Sequence, residues 1–237
     1  MNNAAQAKQE SYYKNTAEEY DAMHLNNAVD GEHYNALYYM SACITQYNIK
    51  SILDVGAGTG RTLKFLKNAH PNLRVVGIEP VEALREVGYR NGLAKDELIS
   101  GDGTHIQFED ASFDLVCEFG ILHHVPKPNL VVAEMLRVAK RSIFISDSNN
   151  FGQGSYLARS IKQAINYIGL WPMYNYVITK GKMYHYSEGD GVFYSYSVFN
   201  NLKQLKASTT KIYFLNTQPT GYNLFKSASS IALHAVK

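Results

Sequence analysis

Between residues 51 and 146, short apolar runs alternate with longer stretches in which apolar positions recur at helical spacing. The runs predict strands over 51–55, 74–78, 97–100, 113–119 and 142–146. The intervening stretches predict helices over about 60–68, 81–91 and 129–139, the last with Val131, Met135 and Val138 near a helical period. Repeated strand–helix units of this kind build a parallel sheet covered on both faces, a doubly wound α/β core.

The flanks break this rhythm. Residues 1–50 are polar and aromatic by turns, with Tyr12, Tyr13, Tyr20, Tyr34, Tyr38 and Tyr39, and predict a helical cap against the sheet edge. After the core (51–147) the alternation lapses over 148–196. That stretch predicts one helix over 156–168, then Trp171-Pro172 and a Tyr-rich extended segment. A departure this long inside a compact domain reads as a lid or binding insertion. Order returns over 197–237, with a helix and strand-like runs at 211–215 and 230–236 around Pro219 and Gly221, expected to close the sheet as an antiparallel pair. The whole chain reads as one domain.

Composition narrows the function classes. Of 237 residues 46% are hydrophobic, enough for a sizeable core, while 23 Lys+Arg against 21 Asp+Glu leave a net charge of +2. Such a balance does not suit binding dominated by phosphate contacts, so no nucleic-acid partner is expected. Cys43 and Cys117 stand among apolar neighbours without metal-ligand spacing, which argues against a disulfide framework or zinc site. The N-terminal segment lacks a signal-peptide core, and no apolar run approaches the roughly 18 residues of a membrane span. A soluble, cytoplasmic protein with no membrane partner is expected; the oligomeric state is left open.

The strongest chemical signal is Ile52-Leu53-Asp54-Val55-Gly56-Ala57-Gly58-Thr59-Gly60, an apolar strand ending in an acid and then a glycine-rich turn into a helix. Glycines there allow a tight turn and close ligand approach, and the first helical amides are free donors. Glu79 ends the second strand, where a carboxylate can accept both hydroxyls of a ribose, and Asp102 follows the third between Gly101 and Gly103. All three acids converge at the carboxyl ends of strands, where open α/β sheets bind ligands.

Asp54 to Gly60, Glu79, Gly101-Asp102 and Phe113-Asp114-Leu115-Val116 resemble, in order, the motifs of the class I S-adenosylmethionine-dependent methyltransferases. The resemblance covers roughly residues 50–147. It implies a seven-stranded, mostly parallel sheet in the order 3-2-1-4-5-7-6 with an antiparallel last strand. It also implies S-adenosylmethionine as cofactor, with Gly56, Gly58 and Gly60 beside its methionine portion, Asp54 at the loop, Glu79 on the ribose and Asp102 at the adenine amine. A nicotinamide dehydrogenase is the competing reading. Its fingerprint needs a small residue where Arg61 stands, and Asp54 would repel a pyrophosphate while favouring a sulfonium. The chain departs from the family where Arg137 to Ser142 replaces a common Pro-Gly-Gly turn.

Methyl transfer to a hydroxyl needs an aligned nucleophile and a base. Leu122-His123-His124-Val125-Pro126 follows the fourth strand and Asp147 ends the fifth. The set resembles that of sugar O-methyltransferases, in which the first His of an LHH motif and an Asp after strand five serve the acceptor hydroxyl. His123 is the candidate base and His124 the alternative, with Asp147 as either helper or turn cap. Flat amphipathic rings suit a planar or carbohydrate acceptor, which makes Tyr20, Trp171 and Tyr186 candidate contacts. Ser187-Glu188-Gly189-Asp190-Gly191 reads as a solvent-exposed turn, and no metal is expected. The resulting expectation is an O-methyltransferase acting on a small molecule, possibly a sugar or glycan precursor. An N-methyltransferase and a non-catalytic regulator that binds the cofactor are the alternatives.

Overall fold

The computed structural model describes residues 3–20 and 31–237. Helices α1 (Asn3–Thr16) and α2 (Glu32–Gln46) precede the alternating core. The core runs β1 (Ser51–Val55), α3 (Arg61–Ala69), β2 (Arg74–Ile78), α4 (Glu82–Arg90), β3 (Leu98–Ile99), β4 (Phe113–Phe119), α5 (Pro128–Val138) and β5 (Ala139–Ser148). The insertion holds α6 (Tyr156–Tyr167), α7 (Trp171–Ile178), β6 (Tyr184–Ser187) and β7 (Gly191–Tyr194). Helix α8 (Leu202–Ser208) and strands β8 (Lys211–Asn216) and β9 (Ser230–Val236) complete the chain.

The main sheet has the order β3-β2-β1-β4-β5-β9-β8. Strands β1 to β5 pair in parallel, β9 lies antiparallel to β5, and β8 antiparallel to β9. This is the expected seven-stranded order, with β9 and β8 in its last two places. Alternation along the central strands divides the core between the two faces. Leu53, Val55, Val116, Ile143 and Ile145 pack against Val131 and Met135 of α5. Ile52, Leu115, Cys117 and Phe144 pack on the other face against Leu37, Met40 and Ile44 of α2 and Leu63 and Leu66 of α3.

Two segments differ from their expected form. Without a Pro-Gly-Gly turn, α5 ends at Val138 and β5 begins at Ala139, three residues earlier than expected. Arg137 anchors the junction through Glu134, Asp110 and the carbonyls of Ile106 and Phe108. The stretch expected to run extended from Trp171 instead opens with a helix, because Pro172 falls in the first turn, where its missing N–H costs nothing and its fixed φ suits the helix. The extended remainder folds as a separate two-stranded hairpin, β6–β7.

A buried histidine makes the fold acid-sensitive. His234 is fully buried among Tyr47, Tyr213 and Phe144, neither ring nitrogen has a partner among the described residues, and burial pushes its pKa down to about 4. The unfolded chain, with a His pKa near 6.5, therefore binds a proton that the folded chain rejects, and stability falls as pH drops from about 6.5 to 4. The loss amounts to about 3 kcal/mol at the acid end. His234→Phe should flatten the pH dependence of Tm across that window; the wild-type slope persisting in the variant would contradict this.

Candidate active site

The loop after β1 forms the floor of the first of two adjoining cavities. Gly56 has φ +73°, and a Cβ there would lie 2.5 Å from Ile121 Cγ2, so both conformation and space demand glycine. Glu79, buried at the end of β2, accepts the Gly58 N–H at 3.0 Å through Oε2 and the Val81 N–H at 2.9 Å through Oε1. Burial pushes its pKa up against the pull of these two bonds. Each carboxylate oxygen keeps a lone pair for a further donor. Asp102 Oδ1 is taken by the N–H and hydroxyl of Thr104, leaving Oδ2 for a ligand. Together with Val81, Leu84 and Val131 these groups line a cavity of about 240 Å³. Buried acid, second acid and apolar walls fit a nucleoside.

Two expected cofactor residues sit elsewhere. Asp54 is buried on the strand face it shares with Ile52, accepts a bond from Cys117 Sγ at 3.6 Å, and has its pKa raised to about 7 by that burial. It lies outside the lining because strand alternation turns its side chain into the core. Gly60 is also outside it. A Cβ there would come within 2.1 Å of Leu93 Cδ1, so packing and its φ of +77° account for the glycine.

The second cavity, about 480 Å³, shares Tyr13, Tyr20, Phe119, Gly120 and His124 with the first. His123 and Asp147 stand in its wall. A short 3-10 turn, Leu122–His124, follows β4 and faces the end of the neighbouring β5, so adjacent strands deliver both groups. His123 Nδ1 donates to Asp147 Oδ1 at 2.6 Å, and the Leu122 N–H donates to Oδ2 at 2.8 Å. Asp147 is thus both turn cap and imidazole partner. Burial opposes its ionisation, but the histidine beside it holds its pKa below the ordinary carboxylate value.

Asp190, in the turn between β6 and β7, lies opposite the histidines. Its oxygens are 3.5 Å from His123 Nε2 and 3.5 Å from His124 Nε2. Burial favours neutral His123, yet the carboxylates on either side outweigh it and raise the pKa well above the usual value. His124 Nδ1 donates to the Val192 carbonyl at 2.6 Å. Gln9 on α1 accepts the Val192 N–H, which ties the N-terminal helix to the hairpin. Among the described residues, His123, His124 and Asp190 are also the one group whose donor atoms, within 4.8 Å of one another, could share a cation.

The insertion lines the second cavity through Ser148, Gln153 and Asp190 and not through its aromatic rings. Trp171 donates to Ser195 Oγ at 2.8 Å and packs on Phe151, while Tyr186 lies edge-on to Tyr12 beneath Lys8; neither lines a cavity. Both are held by packing within the cap and insertion. Tyr20 does line both cavities, Tyr12, Tyr13 and Tyr34 of the N-terminal segment and Phe119 of β4 supply further aromatic walls, and Tyr194 of β7 lines the first cavity. Asp190, Gln9 and Tyr13 were not legible as site residues, since no local pattern records that the hairpin turn and α1 meet the histidines. Asp190, in the Gly-rich turn, offered the only local hint.

Comparison with known proteins agrees with the fold. Residues 53–145 match the methyltransferase domain family. Demethylmenaquinone methyltransferase of Thermotoga maritima is 30% identical over 98 residues, 41% of this chain and 42% of that one. Phosphatidylethanolamine N-methyltransferase of Cereibacter sphaeroides is 25% identical over 48% of this chain and 57% of its own. The chain spans about half the length of the curated relatives it matches. Magnesium protoporphyrin IX methyltransferase of Synechocystis, solved with S-adenosylhomocysteine, shares the fold at a TM-score of 0.61 and 13% identity, covering 98% of this chain and 99% of its own. Residues 53–145 thus resemble a methyltransferase domain, and the chain shares the fold of a methyltransferase solved with the demethylated cofactor.

Proposed function

We propose that the protein transfers the methyl group of S-adenosylmethionine to a hydroxyl of a small molecule, with His123 as general base. The observation that carries this reading is the His123–Asp147 pair in the wall of a cavity adjoining the nucleoside-fitting one. When bound, the cofactor supplies an electrophilic methyl on a sulfonium and leaves as a neutral thioether. Glu79 would hold the ribose, Asp102 the adenine amine, and the Gly56–Gly58 loop the methionine portion. Asp147 keeps the Nδ1 proton in place, so the Nε2 lone pair of neutral His123 takes the acceptor proton as the O–CH3 bond forms. Tyr20 and Tyr13, common to both cavities, flank the path between donor and acceptor.

Asp190 faces Nε2 and stabilises the protonated, inactive form, so an acceptor hydroxyl must enter in its place. The rate should rise with pH as His123 loses its proton. Asp190→Asn removes one of the carboxylates that favour the imidazolium and should move that limb to lower pH; a limb that stays put would exclude Asp190 as its modulator. The reading needs no metal ion, because a proton on His123 already joins the two carboxylates, and a chelator should leave turnover unchanged.

The acceptor is best found with methyl-13C-labelled cofactor and fractionated extract, reading the bond from the carbon chemical shift of the labelled product. Sugars and glycan precursors are the first class to test, on the likeness of the His–His–Asp set to sugar O-methyltransferases. An N-linked methyl would contradict the hydroxyl reading, and binding without any labelled product would leave a non-catalytic role.

A further inference from the structure

Helices α6 and α7 have their amphipathic character turned outward. In α6, Leu157, Ile161 and Ile168 of the adjoining turn fall on one face at helical spacing, yet none of the twelve helical residues is buried, and Leu157 is 68% exposed. The side that meets the protein is polar. Lys162 donates to the Asn150 carbonyl, and Gln163 donates to the carbonyls of Phe151 at 2.9 Å and Lys226 at 2.8 Å. In α7 the one buried residue is Asn175, at 4%, while Met173, Tyr176 and Val177 stay exposed, Val177 at 66%. A water-facing helix pair of a globular protein shows the reverse, and exposed apolar side chains on two successive helices mark a contact surface.

The charge around that face selects its occupant. Residues 148–187 contain Arg159, Lys180 and Lys182, besides the inward-turned Lys162, and not a single Asp or Glu, in a chain whose overall charge is close to balanced. Lys180 and Lys182 are exposed directly after α7, and Phe225 and Lys226 extend the patch beside α6. An apolar face flanked by cations and free of acids is the pattern of a helix lying in the headgroup region of an anionic bilayer. A second copy of the chain would set these cations against their like.

We infer that the α6–α7 hairpin is a monotopic docking surface for anionic membrane. Among the described residues no helix is long and apolar enough to cross a membrane, and the expectation of no membrane partner rested on that criterion, which does not detect helices that lie in the interface. The purified chain should co-sediment with vesicles of three parts phosphatidylcholine to one part phosphatidylglycerol, about tenfold more than with phosphatidylcholine alone, and less as salt rises. Leu157→Ser with Ile161→Ser should lower the partition about tenfold or more, and Lys180→Glu with Lys182→Glu should abolish the preference for anionic vesicles. Both pairs are exposed, and unchanged cofactor affinity and Tm verify that each variant is folded. No binding to the anionic vesicles overturns the inference, as does binding indifferent to both pairs. A dimer in sedimentation velocity that the serine pair dissolves, without vesicle binding, also overturns it and makes the face a self-association surface.

Discussion

His123→Ala is expected to lower kcat by about 10²- to 10⁴-fold while leaving cofactor affinity near its wild-type value, the usual contribution of a positioned base. The split follows from geometry. His123 lines the 480 Å³ cavity and not the 240 Å³ cavity, so its loss should spare the nucleoside contacts. Asp147→Asn should lower kcat as well, because an amide can donate to Nδ1 and favour the tautomer whose proton sits on Nε2, where the lone pair is needed. Asp147 also accepts the Leu122 and Ser148 N–H groups, so Tm must be followed in that variant. His124→Ala should have the smaller effect on rate, since that ring is tied to Val192 of the hairpin. A kcat in His123→Ala within about threefold of wild type, far inside the range for a base, would remove His123 from that role.

The second large effect is expected at the cofactor. Glu79→Ala should weaken binding of S-adenosylmethionine or its demethylated product by about a hundredfold or more in calorimetry. Each charge-assisted bond to a ribose hydroxyl contributes about 1.5 to 3 kcal/mol. The same carboxylate accepts the Gly58 and Val81 N–H groups, so part of the loss comes from a looser glycine loop. Asp102→Ala separates the two contributions: Asp102 is exposed and bonded only within its own turn, and its loss should weaken binding without lowering Tm. Unchanged affinity in Glu79→Ala would sink the ribose assignment.

The core was legible in the sequence because its determinants are local. Strand Ser51–Val55 is buried from Ile52 to Val55 and carries Ile52, Leu53 and Val55 around the single acid Asp54, and the glycine turn follows at once, a pattern that marks a buried parallel strand. The His123–Asp147 pairing was likewise readable, since each residue ends a strand and the two strands are neighbours in the sheet. What the sequence concealed depends on tertiary contact. Asp190 looked like part of a solvated turn, and its side chain is indeed 43% exposed, but the hairpin folds back so that the turn meets both histidines. Tyr-rich composition suggested that the insertion covers the acceptor. Most of its rings instead pack on one another or face outward, Tyr194 alone of its tyrosines lines the smaller cavity, and the aromatic wall of the larger one comes from Tyr12, Tyr13, Tyr20, Tyr34 and Phe119, where no spacing announced it. Asp54 illustrates the converse: a motif residue whose side chain the strand's alternation hides in the core.

The most direct measurement is the pH dependence of kcat for the wild type and for His123→Ala, with the acceptor identified by methyl labelling. In the wild type, a single ionisation should bring the rate up with pH, with a midpoint above that of an ordinary histidine because Asp147 and Asp190 favour the charged ring over the opposing effect of burial. His123→Ala should have a low rate without that limb. The same limb surviving in His123→Ala would contradict the assignment of His123 as the base.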